Sequence, residues 1–280
     1  MRLRLKTEAF TIIEVMMVLA VTGILLVSAI YIISGQQQRT QFNQAIRDVE
    51  SQIRDTINDV AHGYYYNPGN FTCTSSGSGP VVVAGTNTQG ANKDCVFIGR
   101  VIQFGVAGSN GEGFNTYNLI GQRQINSASG TRDVTSLDET QPTALAPSSS
   151  SGANFPDTTE QNKLSYGLKV STMNYTSAGA PTNIGSVGFV SSLAKFEGSN
   201  ILSGTQTVRL MPITGTTLNM GASTAVDAIN SLSSSSPVNP DGGVSICFQS
   251  GGTDQKGVII IGSNGRELTT NLTISSGTCT

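Results

Sequence analysis

The sequence predicts an α+β protein: one long N-terminal helix, membrane-spanning at first and then amphipathic, carrying a β-rich globular head. Three observations predict this. Residues 15–33 form an apolar run with Glu14 as the only formal charge between Phe10 and Ile33. Behind that run, apolar residues recur at steps of three and four, the period of a helix face. Beyond residue 70 the period shifts to short alternating runs separated by Gly, Asn and Pro, the pattern of strands and turns.

The helix is expected over residues 10–62. Its first part, residues 10–33, is long enough to cross a bilayer, which takes about 20 apolar residues. Arg2, Arg4 and Lys6 stand ahead of it, which puts the N-terminus in the cytoplasm and the rest outside. A carboxylate inside such a helix is costly unless paired, so Glu14 asks for a cation that the apolar run does not supply. After Gly35 the stripe Phe42, Ile46, Val49, Ile53, Ile57 and Val60 faces one way, and Arg47, Asp48, Glu50, Arg54, Asp55 and Asp59 fill the other faces. Asp55 and Asp59 oppose the helix dipole near its end, and Arg54 complements it. Gly63 is the expected stop, followed by Tyr64-Tyr65-Tyr66 and Asn67-Pro68-Gly69. At ~1.5 Å per residue the helix would be about 80 Å long. No Pro interrupts it, and Gly23 and Gly35 are its weak points.

The head is expected over residues 63–280. Residues 80–84, 96–106 and 114–125 read as strands, the second with Val96, Ile98, Ile102, Phe104 and Val106 on one apolar face and Arg100 as the exception. Residues 127–163 lack periodicity and are rich in Ser, Thr, Asp and Pro, so they read as a long loop or insertion. Strands resume at 166–171, 184–191 and 207–213; a short helix follows at 223–232, and a loop at 233–240. The clearest hairpin comes last. Val244, Ile246 and Phe248 alternate, residues 257–262 are nearly all apolar, Asn264-Gly265 marks the turn, and Leu268, Leu272 and Ile274 alternate again.

Composition narrows the class. The 280 residues are 38% hydrophobic, 12% charged and without Trp, which suits a loop-rich extracellular β protein. The formal net charge is -2; removing residues 1–9 leaves 13 cations against 17 acids. No basic patch points to nucleic acid. Cys73, Cys95, Cys247 and Cys279 all follow the apolar run, and their even number implies two disulfides in an oxidising compartment. Four cysteines allow three pairings. Local pairing, Cys73 with Cys95 and Cys247 with Cys279, needs the fewest assumptions. Their spacing is not that of a zinc site, and the chain has one His. That residue, His62, reads as a cap or packing group at the helix end. Tyr64, Tyr65 and Tyr66 read as core edge rather than contact surface. Asn70, Asn174 and Asn271 begin N-x-Thr triplets, which arise readily by chance in an Asn/Thr-rich chain. The sequence contains no nucleophile elbow, phosphate loop, dinucleotide fingerprint or calcium loop, so neither a cofactor nor catalysis is expected.

The stretch Lys6-Thr7-Glu8-Ala9-Phe10-Thr11-Ile12-Ile13-Glu14-Val15, with cations ahead and the apolar run behind, resembles the N-terminal signature of the type IV pilin superfamily. That family comprises pilins, minor pilins and the pseudopilins of type II secretion. The resemblance covers residues 1–55. It implies a pilin fold, a leader over residues 1–9 cut after Ala9 by a prepilin peptidase, and N-methylation of Phe10. It also implies an assembly role for Glu14, with the free amine of Phe10 on a neighbouring subunit as the missing cation. Ala9 stands where the family usually has Gly, and the Pro that many pilins carry near the end of the apolar half is absent. The tail, where Gly265-Arg266 follows a turn, is similar to the terminal strands of minor pilins and pseudopilins. The implied partners are other pilin subunits, the peptidase, the inner-membrane assembly machinery and the membrane itself. The implied location is a single-pass membrane protein before assembly, with its head extracytoplasmic, and then an extracellular or periplasmic filament.

The function expected is therefore a structural subunit, pilin or minor pilin, of a type IV pilus-like filament. A type II secretion pseudopilin shares the same chemistry. The length of the chain and its insertion lean toward a displayed pilus head, and Glu14 argues against the tip-most pseudopilin, which typically lacks the acid. A membrane-anchored extracellular binding module is the alternative of another class. An ordinary secretory signal peptide, cut after Val27-Ser28-Ala29, would fit the basic start and the apolar core. The acid within that core and the run continuing to Ile33 argue against it.

Overall fold

The computed structural model describes residues 11–64, 71–75, 79–85, 94–127, 130–152, 154–191, 208–233, 236–251, 254–263 and 267–279. The expected leader 1–9, Phe10, Tyr65, Tyr66, Asn70 and the Asn264-Gly265 turn lie outside these residues.

A single helix of 50 residues, α1 (Ile12–Ala61), opens the described chain after Thr11, a length of about 75 Å. Thr11 caps its start in extended geometry, with its Oγ1 accepting from the Glu14 N–H at 3.4 Å. Its end is closed by two backbone bonds, Gly63 N–H to Val60 O at 3.1 Å and Tyr64 N–H to Asp59 O at 2.8 Å. This is the Schellman arrangement, and it requires the positive φ of +67° that Gly63 adopts. His62 Nδ1 sits 2.7 Å from Asn58 O; the carbonyl can only accept, so Nδ1 carries the proton and the ring caps the last turn.

The strands follow in order. A hairpin of β1 (Phe71–Ser75) and β2 (Pro80–Ala84) precedes the long β3 (Cys95–Phe104) and β4 (Gly113–Gln122). Next come the hairpin β5 (Gln124–Ser127) and β6 (Gly130–Asp133), the one-turn helix α2 (Leu137–Thr140), β7 (Thr143–Ala144) and β8 (Glu160–Lys163). A 3-10 turn over Ser165–Gly167 leads to β9 (Leu168–Ser177), β10 (Ala180–Asn183), β11 (Ser186–Ser191) and β12 (Val208–Pro212). Helix α3 (Ala222–Asn230) precedes the terminal meander β13 (Val244–Ser250), β14 (Gln255–Ser263) and β15 (Leu268–Ser276). Two sheets dominate, both antiparallel: one in the order β10-β9-β13-β14-β15, the other β12-β11-β3-β4-β7 with β8 also paired to β4.

The second half of α1 is part of the core. Phe42, Ala45, Ile46, Val49, Ile53 and Val60 are buried in one cluster with Ile102 and Phe104 of β3, Val187 and Phe189 of β11, and Ile246, Phe248, Ile259 and Ile261 of the other sheet. Both sheets thus share one apolar interior with the helix. The six-stranded sheet is buried on its second face too, where Ile98, Val101, Tyr117 and Met211 pack under Val226 and Ile229 of α3. A smaller cluster of Phe71, Cys73, Val82, Ile120 and Leu145 holds the first hairpin.

Four sequence expectations need correction. The apolar face read along 96–106 is two faces: a bulge between Phe97 and Gly99 shifts the register, so Ile98 packs outward under α3 while Ile102 and Phe104 face α1. The strand read at 114–125 breaks at Arg123, whose N–H bonds to Asp94 O instead. The strand read at 166–171 begins as the 3-10 turn and runs on to Ser177. Residues 127–163 are not a plain loop. Ala144, Leu145 and Ala146 are fully buried, and Leu145 exchanges backbone bonds with Asn118 and Thr158.

Candidate assembly surface

The first half of α1 stands clear of the described residues of the head. Every described side chain from Thr11 to Thr40 is exposed, including the large apolar ones from Ile12 to Ile33. Among the described residues this is the one helix long and apolar enough to cross a membrane. Three of its aliphatic hydroxyls are suited to a dry setting. Thr22 donates to Val18 O, Ser28 to Ile24 O and Ser34 to Tyr31 O, at 2.8, 2.8 and 2.9 Å, so each is satisfied by its own helix. Glu14 has no such provision. Its carboxylate has no hydrogen-bond or ion-pair partner among the described residues.

Three contacts fix the second half of α1 on the head. At the near end, Ile46 drops onto Gly257 of β14: a Cβ there would lie 1.8 Å from Ile46 Cδ1 and 3.5 Å from Phe42. Only glycine lets the helix sit this close. At mid-length, Arg54 donates through Nη2 to Glu50 at 2.6 Å and through Nε to Thr270 Oγ1 at 2.7 Å, and the Thr270 hydroxyl donates to Glu50 at 3.0 Å. This closed triangle ties the helix to β15. At the far end, Arg100 of β3 reaches Asp59 of α1 at 2.8 Å and Glu160 of β8. The guanidinium is buried, 6% exposed, while the two carboxylates keep about a third of their surface (32% and 31%). Two partly hydrated acids thus carry the charge of one buried cation. Arg100, the misfit on the apolar face, is the group that joins helix, sheet and insertion.

The insertion is held by its own ion pair. Glu139 of α2 binds Arg132 of β6 through two contacts, one of 3.1 Å, and accepts from the Thr135 N–H at 2.6 Å. These donors, Arg132 first, hold its carboxyl down at about 2, well below its usual value of 4.5. On the covered face of the six-stranded sheet, Tyr117 donates to Gln103 at 2.6 Å and accepts from Asn115 at 3.1 Å. Burial pushes its phenol pKa up.

The cysteines form two disulfides, Cys73–Cys95 and Cys247–Cys279. The first ties β1 to the start of β3, and the second ties β13 to the tail after β15. An open cleft of about 680 Å³ lies beside that tail, among Asn110, Lys169, Gln249, Asp254 and Thr278. It contains no aromatic platform among its described lining.

Of the residues singled out from sequence, the structure joins the four cysteines in pairs and leaves Glu14 exposed, with no side-chain partner among the described residues. Ala9 and Phe10 are outside the described residues. The groups that sequence reasoning missed are Gly257, Thr270 and Glu160. Two signals pointed toward the Arg100 cluster: one cation in an apolar strand, and an acid, Asp59, at the wrong end of a helix dipole. No protein-family model, curated protein or solved structure matches the chain.

Proposed function

We propose that the chain is a structural subunit, pilin or minor pilin, of a type IV pilus-like filament, made as a membrane protein and packed helix-inward. One observation carries this reading: a single unbroken helix is exposed and largely apolar over its first half, and buries one apolar face in the head core over its second. Such a first half needs an apolar surround at every stage. Lipid provides it for the lone subunit, and other copies of the same helix provide it in a fibre. Glu14 is the one group that separates the two environments: unpaired it costs in lipid, and in a fibre it gains the terminal amine of a neighbour. In this reading the protein is structural, takes no cofactor, and begins at a methylated Phe10 once the leader is cut after Ala9. The disulfides fit a head outside the cytoplasm.

Intact-mass and N-terminal peptide analysis of the mature chain tests the processing step, with a methylated Phe10 expected; a start at Ile30 would mean a signal peptide and end the filament reading. The assembly step is tested by Glu14→Val. The variant should be processed and held in the membrane while the sheared fraction loses most of the protein. Wild-type amounts in the sheared fraction would move the assignment to a membrane-anchored binding module.

A further inference from the structure

The second half of α1 carries seven charged residues: Arg39, Arg47, Asp48, Glu50, Arg54, Asp55 and Asp59. They divide into two groups. Glu50, Arg54 and Asp59 are satisfied within the chain, by Thr270, by each other and by Arg100. Arg39, Arg47, Asp48 and Asp55 are exposed and take part in no ion pair or side-chain hydrogen bond among the described residues. On a regular helix, at about 100° per residue, Arg47 lies ~80° round from Arg39, while Asp48 and Asp55 lie ~160–180° round. The unpartnered cations therefore share one flank of the outward face and the unpartnered acids share the other. Along the axis, Arg39 to Asp48 is nine residues and Arg47 to Asp55 is eight, which at ~1.5 Å each is about 13.5 Å and about 12 Å.

We propose that this polar face is an interface whose occupant is the same half of α1 in a second copy of the chain, displaced by about 12–13.5 Å along the helix. In that register Arg39 meets the neighbour's acid at position 48 and Arg47 the acid at position 55. The contact presupposes the filament reading above and supplies what that reading lacks, a register for the polar half. An unstaggered neighbour is the rival. It would set Arg47 beside Asp48, but Arg39 would face Thr40, and Asp55 would depend on Arg54, which Glu50 and Thr270 already hold. Only the staggered register gives all four charges a partner. The two flanks are different patches, so the contact is heterologous, and its axial shift makes it propagate rather than close into a ring. The pairs fix register and partner choice; the apolar half supplies most of the cohesion.

The test uses the full chain and the sheared-fibre fraction. Asp55→Arg sets like charges together and should lower fibre yield by about tenfold or more. Adding Arg47→Asp to that chain should restore it, and adding Arg39→Asp should not. Independently, Arg47→Cys with Asp55→Cys should give an intermolecular disulfide ladder in oxidised fibres, and Arg47→Cys with Asp48→Cys should not. Wild-type yield from Asp55→Arg, loss without rescue by Arg47→Asp, or a ladder from the 47/48 pair instead would each overturn the register while leaving the filament reading in place. Failure of the unmodified, correctly processed chain to form any fibre would remove both.

Discussion

At the scale of single residues, the buried guanidinium of Arg100 is the most exposed to attack by mutation. Replacing it with Ala leaves Asp59 and Glu160 facing each other without the cation. Breaking a buried pair this way costs about 3–5 kcal/mol, and the partial hydration of both acids moves the expectation to the lower end, about 2–4 kcal/mol. Denaturant unfolding of the head measures it; a loss under ~0.5 kcal/mol, the range of ordinary surface changes, would show that the triad does not hold the helix end. Glu139 gives a pH prediction. Its carboxyl is held at about 2 in the folded chain against 4.5 when free, so its contribution is fully present above pH 4.5 and is lost as pH falls toward 2. Glu139→Gln should therefore lower stability at neutral pH, where the contribution is fully present, and flatten the acid limb of the stability curve between those values, the two chains converging near pH 2. An unchanged acid limb would contradict this. Gly257→Ala should cost about 1–3 kcal/mol through overpacking against Ile46. Adding Ile46→Val, which removes the colliding Cδ1, should recover part of the loss in a double-mutant cycle; strict additivity of the two changes would mean that the helix does not rest there.

At the scale of elements, what could be read in advance was what a period writes. The stripe Phe42, Ile46, Val49, Ile53, Ile57 and Val60 repeats every three or four residues; all are buried except Ile57, which is half-buried and packs against the same cluster. The terminal meander was legible for the same reason: Val244, Ile246 and Phe248 alternate and face the core. What escaped was set by tertiary contact. Strand β1 reads Phe-Thr-Cys-Thr-Ser, too short and too polar to signal a strand, and is held by its partner β2 and the disulfide from Cys73. Residues 144–146 sit in a Ser/Thr-rich stretch, yet are buried because β4 and α3 cover them. Gly257 looked like an ordinary strand glycine, since nothing local records that a helix lies on it. At the candidate site, the apolar run and Glu14 were legible as composition, and the cysteine pairs as the simplest pairing. The Arg100 triad was not, because its three members come from positions 59, 100 and 160.

At the scale of the molecule, the two halves of α1 predict separable behaviour. The core residues of the helix begin at Phe42, and no described side chain before Gln41 is even partly buried, so a chain starting at residue 36 should be soluble and keep the head intact. Its unfolding midpoint should lie within a few degrees of the full chain in detergent, by ~4 °C or less if the apolar half contributes under about 1 kcal/mol. Aggregation or a molten head after truncation would show that the first half supports the fold. The seat of Ile46 on Gly257 has a mechanical consequence. The side chain fills the volume that a residue 257 side chain would occupy, as a peg fills a socket, and the Arg54 and Arg100 ties lie along the same line of contact. Sliding the head by one helical turn, about 5.4 Å, would lift the peg onto neighbouring side chains and break both ties at once. A pull along the helix is thereby transmitted to the head as shear against a hard stop, and α1 acts as a keyed shaft whose head unfolds before it slips.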